Sequence, residues 1–486
     1  MTKQNKILVF FISIVLLAGI WVTTLYIGKY TRQDKVFDLA ALSTRYSTIN
    51  MDIKYDDKKH QIYVSQTTEY LNTSRTGLSQ VKFHAYANAY QKNAQYPVLT
   101  ANEYERAYPN GQSYGGIEIK SCSSQWNLEG ADNTVLSVNL SNYLGYMDKA
   151  TIKFEYVVQL ANIKHRLGWT SNTVNLGNFY PVPVVYDNGW QIHEYSTNGD
   201  PFYNELINFN VTITAPNDYQ VASSGQQTAP NTFKAYAIRD YAAVLSKNFS
   251  VKKDGIISYY YLDDPTPELS LQTANKALDF FSSTFLQYPY PTLTVVETDF
   301  LHGGMEYGTL IYVANDTTDP FQYQNVIVHE IAHQWWYGIV GNNQTKTAFI
   351  DEGLAEYSTA IFFENHKEFG KGINDIANEN MEILAWYKSI VKEIKSAEYD
   401  ENMNRDINDF NTGYEYTFCT YQRGMLLYYN LGKLAGFERI NDGLKLFANA
   451  VKFKFGTIET LKDALRESLN TDIDRYVDQF IAGRSY

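Results

Sequence analysis

Cysteine is nearly missing from this chain: Cys122 and Cys419 are the only two in 486 residues. Two cysteines are not a disulfide scaffold, so the fold must rest on apolar cores. The expectation for both is an unpaired, buried thiol. Cys419 precedes Tyr421 by two positions, yet nothing in the sequence marks it as reactive. Basic clusters are also missing and the net charge is −12, which argues against a nucleic-acid partner. Internal repeats and low-complexity tracts are absent. The length suffices for two or three domains with large cores. Histidine is scarce, at eight residues, and that scarcity makes the placement of each one informative.

Two of the eight lie in His329-Glu330-Ile331-Ala332-His333. On a helix this spacing puts both imidazoles on one face, one turn apart. There both nitrogens can reach a single zinc ion at about 2.0–2.1 Å. In a chain this poor in histidine the pattern should arise by chance in fewer than about one case in a hundred. An apolar run surrounds it (Val326, Ile327, Val328, Ile331, Ala332, Trp335, Trp336), so the helix belongs to a core. The plain alternative is a core helix whose histidines are simply satisfied. Phe349-Ile350-Asp351-Glu352-Gly353 argues against it, because Glu352 begins a second apolar-periodic segment, Ala348 to Phe363, and can reach back as a carboxylate ligand. Two His and one Glu leave a fourth position for water, the open pattern of a catalytic site. Glu330 then stands beside that water as a general base. Glu356, at i+4 from Glu352, can orient a ligand from behind; as a lone helix carboxylate it is equally a solvated residue.

At this point the residues resemble a family, the gluzincin aminopeptidases, relatives of aminopeptidase N and leukotriene hydrolase. The family spaces its third ligand eighteen residues beyond the second His, as Glu352 is spaced here. It often follows the zinc motif with a run like Gln334-Trp335-Trp336. Its Gly-x-Met-Glu-Asn strand is matched by Gly303-Gly304-Met305-Glu306-Tyr307, and its Tyr-x-Lys-Gly segment by Tyr421-Gln422-Arg423-Gly424. Weaker matches to bacterial members lie at Phe83 to Ala89, Asn178-Phe179-Tyr180-Pro181 and Gly199-Asp200-Pro201-Phe202. The resemblance runs from about Tyr46 to the C-terminus. It implies one Zn2+ held by His329, His333 and Glu352, with Glu330 activating water. It implies that Tyr421 donates to the oxyanion and that Glu306 grips the substrate's free α-ammonium. Gly303, Gly304 and Met305 form the substrate strand, the glycines letting substrate backbone approach closely. Tyr307 replaces the family's Asn, Gly304 its usual Ala, and Arg423 its Lys; the first two bear on which first side chain is preferred. No residue of the N-terminal half matches the family's second amine ligand.

The N-terminus adds a different feature. Ile7 to Ile27 carries no charge over 21 residues, enough to span a hydrocarbon core about 30 Å thick. Lys3 and Lys6 precede it, and Trp21 and Tyr26 suit an interface. A signal peptide has a shorter apolar core, about 7–15 residues, and a small-residue cleavage site. The run is longer and no such site is evident, so the expectation is an uncleaved single-pass anchor with the enzyme outside the cell. Lys29, Arg32 and Lys35 follow the span, so charge alone does not fix the orientation.

The expected organisation is therefore tail and anchor (1–35), a β-rich domain (36–252) and a catalytic domain (253–486). Residues 30–42 read as a polar linker. Strand alternation follows, as in Met51, Ile53 and Tyr55, in Ile62 and Val64, and in Phe209 to Thr214, with a turn at Asp56-Asp57-Lys58-Lys59. Helical periodicity starts at Pro267 and continues to Leu286. The resemblance implies a multidomain α+β fold: an antiparallel, saddle-like β domain, then a thermolysin-like α/β zinc peptidase domain with a mostly helical C-terminal part. The chain stops soon after Ile481, whereas larger members continue into a helical domain; the expectation is a more open cleft, or one covered by a partner. Peptides are the expected substrates and zinc peptidase chemistry the expected reaction. An aminopeptidase fits best, with a zinc endopeptidase and a silent membrane-tethered peptide-binding scaffold as the alternatives. The sequence carries no reading of oligomeric state.

Overall fold

Alternation builds the first half as expected. In the strand Ser47–Asp56, Met51, Ile53 and Tyr55 are buried while Asp52 and Lys54 face solvent. The chain then turns back into Gln61–Leu71, pairing Tyr55 with Ile62. Asp56 Oδ1 accepts from the amides of Lys58 and Lys59 at 3.0 and 3.1 Å, which closes that turn. The computed structural model describes residues 38–394 and 400–484. Residues from Ala40 onward form one compact unit.

The strands Ser47–Asp56 and Gln61–Leu71 lie in a seven-stranded sheet, accompanied by two four-stranded sheets. One pairing departs from the antiparallel expectation. Ser47–Asp56 runs parallel to Ile207–Thr214, with Ile53 opposite Ile213. The two strands are far apart in sequence, so no hairpin forces them antiparallel, and the long crossover between them supplies one four-stranded sheet and two strands of the other.

A five-stranded sheet opens the second half, in the order Ser250–Asp254, Ile257–Tyr261, Leu293–Thr298, Leu310–Ala314, Gly304–Met305. Its first strand begins just before the boundary expected after residue 252. Every residue of Leu293–Thr298 and Leu310–Ala314 is buried, as suits parallel strands covered on both faces. The helix Pro267–Thr284, with Pro267 in its first turn, and the helix Pro320–Ala332 pack together beside the sheet. The rest is mostly helical: Glu352–Asn365, Ile373–Glu393, Arg423–Ala435, Phe437–Val451, Ile458–Leu469 and Asp474–Ile481. Overall this is the α+β arrangement expected.

Arg239 joins the two halves. It is buried, donates to the carbonyls of Asn204, Tyr337 and Lys454 at 2.8, 2.5 and 2.9 Å, and leaves no room at Gly341 for a side chain. Three spent donors offset the cost of burying that charge.

Smaller expectations meet smaller corrections. Leu39–Ser43 is a short helix where a linker was expected. Both thiols are unpaired, but only Cys419 is buried; Cys122 is half-exposed at a strand end. The anchor Ile7–Ile27 lies outside the described residues, among which no helix is long and apolar enough to cross a membrane.

Candidate metal centre and active site

The helix Pro320–Ala332 starts on Asp319, whose carboxylate accepts from the Gln322 amide at 2.8 Å. It ends within the His-Glu-x-x-His motif: Ala332 is its last residue, and His333 caps it while still bonding back to the His329 carbonyl at 3.2 Å. Both histidines therefore sit at a helix C-terminus, where the backbone dipole favours a cation.

The three residues after the motif act as bolts. Gln334 accepts from the Thr309 amide at 3.0 Å and donates to the Tyr307 carbonyl at 3.2 Å, fixing the segment that carries Glu306. Trp335 Nε1 donates to the Leu286 carbonyl at 2.6 Å. Trp336 Nε1 donates to Ser358 Oγ at 2.8 Å, fixing the Glu352 helix. A second device brings in Tyr421. Gly353 and Gly424 face each other so closely that a Cβ on either would lie 2.8 Å from the other's Cα. The helices Glu352–Asn365 and Arg423–Ala435 can cross there only without side chains. Tyr421 precedes that crossing, in the widened π turn Phe418–Gln422.

The result is a convergent donor set. His329 Nε2 and His333 Nε2 lie 3.0 Å apart, and Glu352 Oε2 lies 3.4 and 3.2 Å from them. Two imidazole nitrogens and one carboxylate oxygen aimed at one point suit zinc in both ligand type and number. The other side of each ligand is held. His333 Nδ1 donates to the Trp336 carbonyl at 2.9 Å. Glu356 Oε1 lies 3.2 Å from His329 Nδ1, so Glu356 supports a ligand. Tyr421 Oη donates to Glu352 Oε1 at 2.6 Å and its ring stacks on His329.

Burial and pairing compete over charge here. Burial opposes an imidazolium, but Glu352 and Glu356 outweigh it and hold His329 at about 10. His333 is also pushed well up, against its burial, chiefly by Glu352. Burial alone would raise Glu352, yet His333 and His329 hold it at about 2. His329, His333 and Glu352 thus form an ion-paired cluster whose protons must leave as a cation binds. Burial lifts Glu330 to about 7, with the two imidazoles pulling it back. Its Oε2 is buried without a hydrogen-bond partner. Burial, then Asp200, pushes Glu306 well above the carboxylate range.

A cavity of about 160 Å³ collects these groups: Asp200, Gly304, Glu306, Glu330, Glu352 and Tyr421 all line it. Gly303, at φ +82°, lines it too, while Met305 lines a neighbouring cavity. Gly304 also borders Glu330. A Cβ there would sit 2.2 Å from Glu330 Oε1, so the missing side chain makes room for that carboxylate. Tyr307 turns away from both cavities: its hydroxyl donates to Asn178 at 2.9 Å, over Gly177. Arg423 binds Glu401 Oε2 at 2.6 Å and the Phe480 carbonyl at 2.7 Å, and so serves packing.

Sequence reasoning passed over two residues. Gln344, buried on a one-turn helix, donates to Glu306 Oε1 at 3.0 Å. Asp200 is the one residue of the β-rich half that lines the metal cavity among the described residues. Its motif, Gly199-Asp200-Pro201-Phe202, was visible, but a loop carboxylate has no periodicity to declare its direction. The glycine beside it was a usable signal, because Gly199 accommodates the ring of Tyr416 from the Tyr421 segment.

The chain is similar to known proteins in its catalytic half and in its fold. Residues 269–480 match the Peptidase family M1 domain. Alanine/arginine aminopeptidase of Saccharomyces cerevisiae is 26% identical over 259 residues, covering 49% of this chain and 28% of that protein. Aminopeptidase N of Lactobacillus delbrueckii subsp. lactis is 24% identical over 230 residues, covering 45% of this chain and 27% of its own length. The chain thus spans less than a third of these relatives. A solved M1 zinc metallopeptidase from Deinococcus radiodurans superposes with a TM-score of 0.61 at 14% identity, over 91% of this chain and 93% of that one.

Proposed function

We propose that this chain, which belongs to the gluzincin aminopeptidase family through its peptidase M1 domain, is a zinc-dependent aminopeptidase that releases N-terminal residues from peptides. The observation that carries the reading is the convergence of His329, His333 and Glu352 in a cavity that also holds Glu330 and Glu306.

His329, His333 and Glu352 would hold zinc, which when bound would supply Lewis acidity toward a carbonyl and a water. Glu330 takes the proton of the attacking water and delivers it to the leaving amine. Its burial, which pushes the carboxyl upward, suits a group that must both accept and return a proton. Tyr421, whose hydroxyl already faces Glu352, offers a donor to the oxygen on which negative charge develops. Glu306 is buried in the same cavity, where a substrate ammonium relieves its repulsion with Asp200 and makes a charge-assisted contact. Gln344 holds that carboxylate in place. The uncharged stretch Ile7–Ile27 supports a membrane tether with the catalytic part outside the cell.

The test is a zinc-loaded preparation given matched free and N-acetylated peptides, read by mass spectrometry. The expected result is one-residue ladders from free termini alone. Internal cuts in both sets would overturn the reading in favour of an endopeptidase.

A further inference from the structure

The turn that links the strands Val135–Leu144 and Lys149–Gln159 keeps its apolar side chains outside. Tyr143, Tyr146 and Met147 are 73%, 59% and 47% exposed. Apolar residues scattered singly over a surface are ordinary, but three in one turn form a patch.

The turn is held firmly. The buried Asn72 side chain donates to the carbonyls of Leu144 and Gly145 at 3.0 and 3.2 Å, and the Asn72 carbonyl accepts from the Met147 amide at 2.7 Å. The Gly145 amide donates to Asp148 Oδ2 at 3.0 Å. Gly77 leaves space for the Tyr143 ring, which a Cβ there would strike. Met147 has φ +64°, a left-handed position that Asn or Gly adopts at less cost. An apolar side chain is thus kept outside in spite of its backbone.

Cations gather at the same end. Leu71 donates to Ser47 Oγ at 3.0 Å and pairs with Lys149, so the first strand starts beside the turn. Residues 43–47, 72–77 and 143–149 meet there. They carry Arg45, Arg75 and Lys149, all exposed, and one carboxylate, Asp148, which closes the turn. The neighbouring Glu69 and Glu205 are only partly exposed. In a chain of net charge −12 this end is basic.

Tyr and Met ringed by cations suit a bilayer that contains anionic lipids. Tyrosine settles at headgroup level, its ring in hydrocarbon and its hydroxyl in water. Lysine and arginine meet the headgroup phosphates. The path of the chain points to the same occupant. The compact unit begins at Ala40, so the chain enters it by this end. Residues 28–39 join it to the uncharged stretch Ile7–Ile27 and reach at most about 40 Å when extended. A bilayer holding that stretch is within reach of the patch.

We propose that Tyr143, Tyr146 and Met147 dock this end of the β-rich half on the membrane surface, with Arg45, Arg75 and Lys149 against anionic headgroups. This rests on the membrane-tether reading. The tether keeps the enzyme at the bilayer, and the patch sets the face it turns toward it.

The experiment places the full chain in vesicles of phosphatidylcholine alone, or mixed with phosphatidylglycerol, and applies hydroxyl-radical footprinting read by mass spectrometry. Trp386 and Tyr414, 59% and 73% exposed on the catalytic half, serve as internal standards. Relative to them, oxidation of Tyr143, Tyr146 and Met147 should be about tenfold slower in the mixed vesicles. Met147→Asn suits the left-handed position, so the melting temperature should hold or rise. Tyr143 and Tyr146 should nevertheless oxidise about threefold faster in that variant. Equal oxidation in both vesicles, with the chain retained after carbonate washing, would overturn the docking and leave the tether standing. Protection that follows protein concentration instead of lipid would mean a second copy covers the patch, and would overturn it too. A chain that carbonate washes off would overturn the tether reading, and this inference with it.

Discussion

The two walls of the cavity are built by different means. The helical wall concentrates its chemistry in short sequence motifs, each on or beside a helix terminus: His329 and His333 at one C-terminus, Glu352 at an N-terminus, Tyr421 in a π turn. Among the described residues the β-rich wall contributes a single loop carboxylate, Asp200, held from outside its motif by Arg166. A helix fixes side-chain spacing through its own period, so a metal-ligand set can be written locally. A loop depends on distant partners, so its contribution surfaces only in three dimensions. The helical wall should therefore govern whether the reaction occurs.

The sharpest way to break that division is Glu330→Gln, which should retain zinc and lose roughly 10²–10⁴ in kcat. Metal loading tests the same wall through pH. Glu352 and Glu356 hold His329 at about 10 against its burial, and its proton must leave on metal binding. Zinc affinity should then climb about tenfold per pH unit for each proton displaced, between pH 6 and 8. Zinc titrations with a competing chelator measure this, and a pH-independent affinity would refute the ion-paired description. Next in size is Gln344→Leu. A buried Glu306 left unpaired is expected to lose ~1–3 kcal/mol of positioning. KM for free-terminus peptides should rise by roughly tenfold, with zinc content unchanged.

Those three tests concern residues that differ in how visible they were. The zinc ligands and Glu330 could be named because helical period and motif spacing fix them in the sequence itself; Glu306 was named only through the family resemblance of its strand. The alternating strands and the helix at Pro267 were equally legible, for the same reason of period. The parallel pairing of Ser47–Asp56 with Ile207–Thr214 was not, because alternation tells which face is buried and is silent on direction. Gln344 and Arg166 were invisible because a buried polar residue is defined by its partner, and their partners lie 38 and 34 residues away. Gly304 was noticed for its place on the strand; that Glu330 also claims the space beside it shows only in three dimensions.

Two smaller effects sharpen the comparison at the joints. Gly353→Ala forces a Cβ against the Gly424 backbone. A cost of about 1–3 kcal/mol in stability is expected, and turnover should fall as Tyr421 is displaced from Glu352; thermal melts and kcat on one preparation measure both. Between the halves, Asp240 accepts from the Gly308 amide at 2.9 Å and from Tyr337 Oη at 2.5 Å, and burial lifts it to about 6. Its folded pKa lies above the ordinary value of 3.8. Its contribution is therefore full below about pH 4 and is lost as pH rises to about 6. Asp240→Asn should flatten that part of the stability curve relative to wild type, whatever its absolute stability. Parallel urea midpoints at pH 4 and pH 6.5 measure the difference.

The most direct measurement pairs zinc stoichiometry with single-turnover release of a first residue, in wild type and Glu330→Gln side by side. The account predicts one zinc per chain in both proteins and prompt release only in the wild type. Release at equal rates, with zinc bound in both, would contradict it.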